Sequence, residues 1–218
     1  MIKKEEMMES IYIEIRNLSK KIKGVMVLDN INMKLQKGKV YGFTGPNGSG
    51  KTMLFRSICG LIKPTEGTIE INNKKLHENI SFPESVGALI ENPGFLPNYS
   101  GRKNLKLIAD IKGIIGYDEI DKLMDLIGLD LIDKKKYKQY SLGMKQKLGI
   151  AQALMEEPEL IILDEPTNAL DEKSIQNVLE LIKEEKEKGK TILIASHDKV
   201  NLEKVSDVIF KMENGRIL

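Results

Sequence analysis

The octapeptide Gly45-Pro46-Asn47-Gly48-Ser49-Gly50-Lys51-Thr52 constrains this chain more than any other stretch. The apolar run Val40–Thr44 precedes it, and an apolar-periodic segment from Thr52 to Ile62 follows. That is the strand–loop–helix setting in which GxxxxGK[ST] binds phosphate. Gly45, Gly48 and Gly50 have no Cβ, so backbone can approach phosphate closely and take positive φ. Successive N–H groups then form an anion nest, and the helix adds its positive N-terminal end. Lys51 can reach the β- and γ-phosphates as a mobile point charge, and the Thr52 hydroxyl can ligate Mg²⁺. A glycine-rich turn that happens to precede Lys-Thr is the plain alternative. Eight residues matching between a strand and a helix favour a nucleoside triphosphate.

At 218 residues and 24.6 kDa the chain reads as one domain that can bury a sizeable core. Its 34 Lys and Arg against 32 Asp and Glu leave a net charge of +2, which demands no nucleic-acid partner. Cys59 is the single cysteine; it falls in an apolar helical segment and reads as core. With no disulfide possible within the chain, a reducing cytosolic location is expected. MIKKEEMMES at the N-terminus has no apolar h-region, so it does not read as a signal peptide. No run approaches the roughly 18 apolar residues of a membrane span.

Alternation predicts strands over Ile11–Leu18 and Asn30–Leu35, with KKIKG a polar loop between them. Thr68–Ile71 reads as an antiparallel-type strand running into an Asn72-Asn73 turn, and residues 85–90 as a short apolar strand entering the loop ENPGFLPNYSG. From Arg102 to Gly149 the periodicity is helical. Leu105, Leu107, Ile108 and Ile111 are expected on one face, and Ile120, Leu123, Met124 and Ile127 on another. About fifty strandless residues inside an α/β pattern predict an inserted helical lobe. Lys134-Lys135-Lys136 within it reads as solvated surface. Beyond Pro158, Leu160–Leu163 and Thr191–Ala195 read as buried parallel strands, with a helix over Glu172–Lys188 between them. Short strands at Asp207–Met212 and Arg216–Leu218 flank an Asn214-Gly215 turn.

The second chemical signal is Leu160-Ile161-Ile162-Leu163-Asp164-Glu165. A carboxylate at the carboxyl end of a buried parallel strand, beside the strand feeding the phosphate loop, is where Mg²⁺ is held. Asp164 suits that role, and Glu165 points elsewhere and can act as general base toward water. Tyr140-Ser141-Leu142-Gly143-Met144-Lys145-Gln146-Lys147-Leu148 opens a helix with Ser141 as N-cap, a second helix N-terminus upstream of the acidic strand.

Taken in order, the phosphate loop, helical insert, capped helix, LIILDEP, Asn168-Ala169-Leu170-Asp171 and His197 after a strand resemble the ATP-binding-cassette (ABC) ATPases over essentially the whole chain. The resemblance implies an α/β fold: a P-loop NTPase core with a mostly parallel sheet, an N-terminal antiparallel β-subdomain and an inserted helical subdomain. The core would be roughly 1–90 and 157–218, the helical subdomain roughly 91–156. It also implies two cassettes packed head to tail, each ATP lying between one copy's phosphate loop and the Ser141–Gly143 segment of the other. Glu165 then matches the catalytic glutamate, His197 the switch histidine toward the γ-phosphate, and Asp171 the loop that crosses the interface. ALIENPGFLPNYSGRKNLKL and YSLGMKQKLGIAQAL are similar to ATPase subunits of bacitracin-resistance and lantibiotic-immunity exporters, where a Glu replaces the usual Gln at the position of Glu91.

Four further departures stand out. Ile22 replaces an adenine-stacking aromatic, Met53 a hydroxyl residue beside the α-phosphate, Leu142 a Gly and Met144 a Gln. Expected ligands are ATP, contacted by residues 45–53, Ile22, Ser141, Gly143 and Asp171, and Mg²⁺, held by Thr52, Asp164 and Glu91. Lys51, Glu165 and His197 are expected to serve hydrolysis. The implied role is a peripheral ATPase on the cytoplasmic face of the membrane. It would power an exporter for peptide antibiotics or other toxic compounds with a separately encoded permease and a second cassette, its own copy or a related subunit. A soluble ABC ATPase acting on nucleic acid or ribosomes is the alternative from another class. It usually carries two cassettes or a long coiled-coil insertion, which this sequence lacks. A non-hydrolysing regulatory module is the third.

Overall fold

The computed structural model describes residues 10–91, 94–131 and 135–218, so Lys134 and the MIKKEEMME segment lie outside the described residues. Two sheets carry the architecture. The first is antiparallel, in the order β2-β1-β4-β5, from β1 (Ile11–Ile22), β2 (Val25–Gln36), β4 (Glu66–Ile71) and β5 (Lys74–Lys75). The second has the order β10-β9-β3-β8-β7-β6: β3 (Val40–Thr44), β6 (Val86–Leu89), β7 (Leu160–Asp164), β8 (Thr191–Ala195), β9 (Val208–Glu213) and β10 (Arg216–Ile217). All its pairings are parallel except β9 with β10. Helices α1 (Lys51–Ile58), α5 (Glu172–Glu187) and α6 (Lys199–Val205) belong to this α/β part. Helices α2 (Gly101–Lys112), α3 (Tyr117–Leu126) and α4 (Leu142–Leu154) fill the stretch between β6 and β7, as the helical periodicity predicts.

Every residue of β7 and β8 is buried, which is why these strands read as unbroken apolar runs rather than alternating ones. Their two faces contribute to two apolar clusters. Leu160, Ile162, Leu193 and Ala195 pack with Phe43, Phe55 and the antiparallel sheet; Ile161, Leu163, Ile192 and Ile194 pack with α5 and the inserted helices. In that second cluster Ile120, Met124 and Ile127 are buried as expected, with Leu123 partly so. Cys59 is buried immediately after α1, and desolvation pushes its thiol up to about 12, which makes it core rather than reactive.

Four details differ from the sequence expectation. The KKIKG loop is instead strand through Ile22 and a tight turn at Lys23-Gly24, whose positive φ values of 48° and 84° match a type I′ hairpin. Lysines there mark a solvated hairpin tip, not a loop. The helix after the phosphate loop stops at Ile58 rather than Ile62, because Gly60 turns the chain at φ 76°. Ile111 is 81% exposed, and the core face of α2 consists of Gly101, Asn104, Leu105 and Ala109. Finally, β7 is not beside β3: β8 runs between them.

Asp207 fastens the start of β9 to β3. Its Oδ2 accepts from the Val40 N–H at 2.8 Å, and Lys186 pairs with its other oxygen. Burial alone would raise its carboxyl, but Lys186 and the Val40 N–H together hold it below the usual value. A depressed folded pKa stabilises the fold above the unfolded value near 3.8, and that contribution disappears as pH falls through the folded one. Asp207→Asn should therefore cost about 1 kcal/mol at pH 7, the upper range for a partly exposed ion pair. In urea unfolding the difference should close below the ordinary aspartate range.

Candidate nucleotide site

The turn from β3 into α1 is built as its glycines predict. Gly45, Gly48 and Gly50 all have positive φ, and at Gly45 a Cβ would stand 2.1 Å from the Met212 carbonyl oxygen. Lys51 is buried, and its Nζ donates to the carbonyls of Gly45 at 2.8 Å and Pro46 at 3.2 Å. The loop thus wraps around its own ammonium group. A cleft of about 580 Å³ opens here, lined on this side by Asn47 to Met53 and by Val27.

The opposite wall carries the acids. Asp164 ends β7, and although β8 intervenes in the sheet, α1 crosses back far enough for Thr52 Oγ1 to donate to Asp164 Oδ2 at 2.6 Å. Burial raises the Asp164 carboxyl; the Thr52 hydrogen bond and Lys51 oppose that, while Glu165 and Glu91 add to it. Glu165 takes φ 51°, Ala169 φ 60° and Glu91 φ 59°, left-handed values that cost non-glycine residues about 1–3 kcal/mol each and cluster at functional sites. All three line the cleft. The Glu165 backbone is held from three sides. Its N–H donates to Ala195, and its carbonyl accepts from Gln146 Nε2 at 2.9 Å and from the Asn168 N–H at 3.2 Å. His197 Nδ1 lies 2.9 Å from Glu165 Oε2; because a carboxylate only accepts, the nitrogen is the donor.

Other expected residues sit at the margin. Ser141 caps α4, its Oγ accepting from the Met144 N–H at 3.2 Å, and Leu142 and Gln146 of that helix reach the cleft wall while Ser141 and Gly143 do not. Gly143 is pressed against the Ala169 carbonyl, where a Cβ would stand 2.8 Å away. Asp171 caps α5 by accepting from the Ser174 N–H, which lowers its carboxyl, and lies outside the lining. Ile22 pairs with Val25 at the hairpin tip and is likewise outside the lining, as is the exposed His197 ring. Glu91 lines the cleft and is paired with Arg56 Nη2 at 2.6 Å.

The sequence reading missed Arg56 and Val27. Arg56 follows Thr52 by one helical turn, so the i, i+4 spacing could have placed both on one face. Val27 falls between the expected KKIKG loop and the expected strand from Asn30, in the part of β2 that the alternation does not reach.

A Mg²⁺ ion keeps several waters and takes one or two carboxylates plus phosphate oxygens. Among the described residues no cluster of three or more His, Cys, Asp or Glu is arranged as a protein-only metal cage. The buried Asp164 carboxylate beside the Thr52 hydroxyl does fit that sparser ligation.

The chain is similar to known proteins in sequence and in fold. The family model for ABC transporters covers residues 28–168. YybJ of Bacillus subtilis (strain 168), an uncharacterized ABC transporter ATP-binding protein, is 48% identical over 205 residues, 94% of each chain. The bacitracin transport ATP-binding protein BcrA of Enterococcus faecalis is 40% identical over 208 residues, 94% of this chain and 68% of that one. The dimeric structure of MJ0796, a bacterial ABC transporter cassette, superimposes with a TM-score of 0.86 at 26% identity, over 94% of this chain and 96% of that one. A phosphate loop facing a strand-end acid defines a P-loop nucleotide-binding protein of α/β class. The chain belongs to the ABC transporter family, as its ATP-binding cassette, an ATPase. The resemblance to bacitracin-exporter ATPases has its counterpart in BcrA.

The site also holds a testable tension. Because burial raises the folded pKa of Asp164, its ionised form destabilises the nucleotide-free fold above that pKa, and the effect vanishes below the unfolded value. Asp164→Asn should raise the urea midpoint of the nucleotide-free protein at pH 7. Near pH 3 the two midpoints should coincide. A variant that is less stable at neutral pH would contradict this.

Proposed function

We propose that this chain is the ATP-hydrolysing subunit of an exporter for peptide antibiotics or other toxic compounds. It works as a head-to-tail pair of cassettes on the cytoplasmic face of a separately encoded permease. The reading treats the chain as one nucleotide-binding domain, with the helical subdomain inserted at roughly 91–156. No helix among the described residues is long and apolar enough to cross a membrane. The observation that carries the catalytic part is the convergence of Lys51, Thr52, Asp164 and Glu165 on one cleft. The bacitracin transport relative supports the cargo class, and the dimeric cassette supports the pairing.

ATP, when bound, would supply a terminal phosphoryl group open to attack by water, with ADP as the leaving group. The backbone N–H groups of residues 47–52 and the Lys51 ammonium would hold its phosphates, and Thr52 Oγ1 with Asp164 would hold Mg²⁺. Glu165 accepts the proton of the attacking water, while His197, through Nδ1 on Glu165 Oε2, fixes that carboxylate's orientation. Ser141, Gly143 and Asp171 serve the opposite copy, which is why they need not face the cleft of their own chain. Val27, which lines the cleft, would offer the base an aliphatic surface in place of an aromatic stack, and the exposed Ile22 and Val25 at the hairpin tip would extend it. Glu165→Gln should keep MgATP binding yet slow turnover by about 10²–10⁴, the usual contribution of a general base. It should also accumulate an ATP-bound dimer by light scattering, whereas Lys51→Ala should lose tight binding. Undiminished turnover in Glu165→Gln removes Glu165 from this role.

Glu91 adds a full negative charge near Mg²⁺. Two unit charges about 5 Å apart interact by roughly 3 kcal/mol at an effective dielectric of 20, so repulsion of phosphate and attraction of metal are comparable. Arg56, paired with Glu91, offsets part of that charge. Glu91→Gln should raise affinity for metal-free ATP more than for MgATP, and Arg56→Gln should do the reverse. Calorimetric titrations with Mg²⁺ and with EDTA compare them; equal changes in both conditions would show that Glu91 does not sense the metal.

A further inference from the structure

The C-terminal hairpin of β9 and β10 contributes no residue to the cleft lining, yet it touches the phosphate loop at several points. Its turn, Asn214-Gly215, has φ values of 48° and 79° and is wedged between that loop and β2. The Gly215 N–H donates to the Ser49 carbonyl at 3.0 Å, and the Gly215 carbonyl accepts from the Asp29 N–H at 2.9 Å. Contact is so close that a Cβ on Gly215 would stand 2.8 Å from the Val27 carbonyl oxygen. One on Gly50 would stand 2.9 Å from that same oxygen and 3.3 Å from Gly215 Cα. Outside this seam, Arg216 donates through Nε and Nη2 to Asp29 Oδ2 at 2.8 and 2.6 Å, clipping β10 to β2.

The Ser49 carbonyl and the Gly50 N–H belong to one trans peptide unit, so they point in opposite directions. Drawing the carbonyl toward Gly215 turns the Gly50 N–H the other way, and both residues line the cleft. A nest binds an anion well only if its N–H groups are aimed beforehand, because ordering them on binding subtracts from affinity.

We propose that the β9–β10 hairpin is a brace that pre-aims the phosphate loop, with Gly215 as its positioning residue and the Asp29–Arg216 pair as its clip. The proposal rests on phosphate binding by residues 45–52. It explains why a glycine is needed at 215: the turn requires positive φ there, and the seam with Val27 has no room for a side chain.

The test uses the full chain and two probes, MgATP and inorganic pyrophosphate with Mg²⁺, the second touching the phosphate loop without a base. Gly215→Ala should weaken both by the same factor, at least about ten-fold, and should raise KM for ATP with little change in kcat. Arg216→Gln alters an exposed side chain, so it should keep the wild-type urea midpoint while weakening both probes about two- to five-fold. Ile69→Val, in the antiparallel-sheet core away from the seam, serves as a stability control. If Gly215→Ala does not fold, Arg216→Gln decides alone. Affinities within two-fold of wild type in the variants, or a loss matched by Ile69→Val, would overturn the brace. Failure of the wild-type chain to bind either probe would instead refute the phosphate site itself.

Discussion

The hydrogen bond from Thr52 Oγ1 to Asp164 Oδ2 is the contact on which the rest of the site depends. It joins two elements that the sheet keeps apart, since β8 separates the strand that feeds the phosphate loop from the strand that carries the acid. The bond can form only because α1 leaves the loop at an angle that brings its first turn over the end of β7. That angle is set by Leu54, Phe55 and Ile58, all fully buried against β3, β7 and the antiparallel sheet. Core packing therefore fixes the position of a polar contact at the carboxyl end of the sheet's strands.

Around that contact the chain accepts local costs. Asp164 is a buried carboxylate, and Glu91, Glu165 and Ala169 hold left-handed backbone without being glycine. Two of these are enforced by their surroundings: Glu165 is gripped by Ala195, Gln146 and Asn168, and Ala169 by the close packing of Gly143, while the Glu91 side chain pairs with Arg56. Strain of this kind persists only where neighbouring structure enforces it. Here the enforcing elements are β7 and β8, buried along their whole length, and the inserted helix α4.

Much of this was legible in the residues. GPNGSGKT between an apolar strand and helix, and LIILDE as an unbroken apolar run ending in acids, located both walls of the cleft. Ser141 was legible as a cap, its side chain accepting an N–H bond three residues on; Asp171 was legible only through the family resemblance, and its capping of α5 comes from the structure. What was not legible depended on distance in the chain. Parallel strands carry no register signal of their own, so the insertion of β8 between β3 and β7 had to be seen. Lysines at the β1–β2 tip looked like loop because solvated hairpin ends and loops share a composition. Ile111 kept the helical period and yet faces solvent, since periodicity shows a stripe but not what covers it. The Arg56–Glu91 pair joins residues thirty-five apart.

The measurement that bears most directly on this account is a double-mutant cycle of Thr52→Val and Asp164→Asn, read as affinity for Mn²⁺ with ATP by electron paramagnetic resonance. If the two groups form one cation-binding unit, each single change should remove most of the metal-dependent affinity, and the double variant should lose little more. Coupling should fall toward the upper part of the roughly 0.5–3 kcal/mol typical of residues in contact, clear of the ~0.3–0.5 kcal/mol additivity error. Strictly additive losses, or single variants that hold Mn²⁺ with ATP as tightly as the wild type, would contradict it.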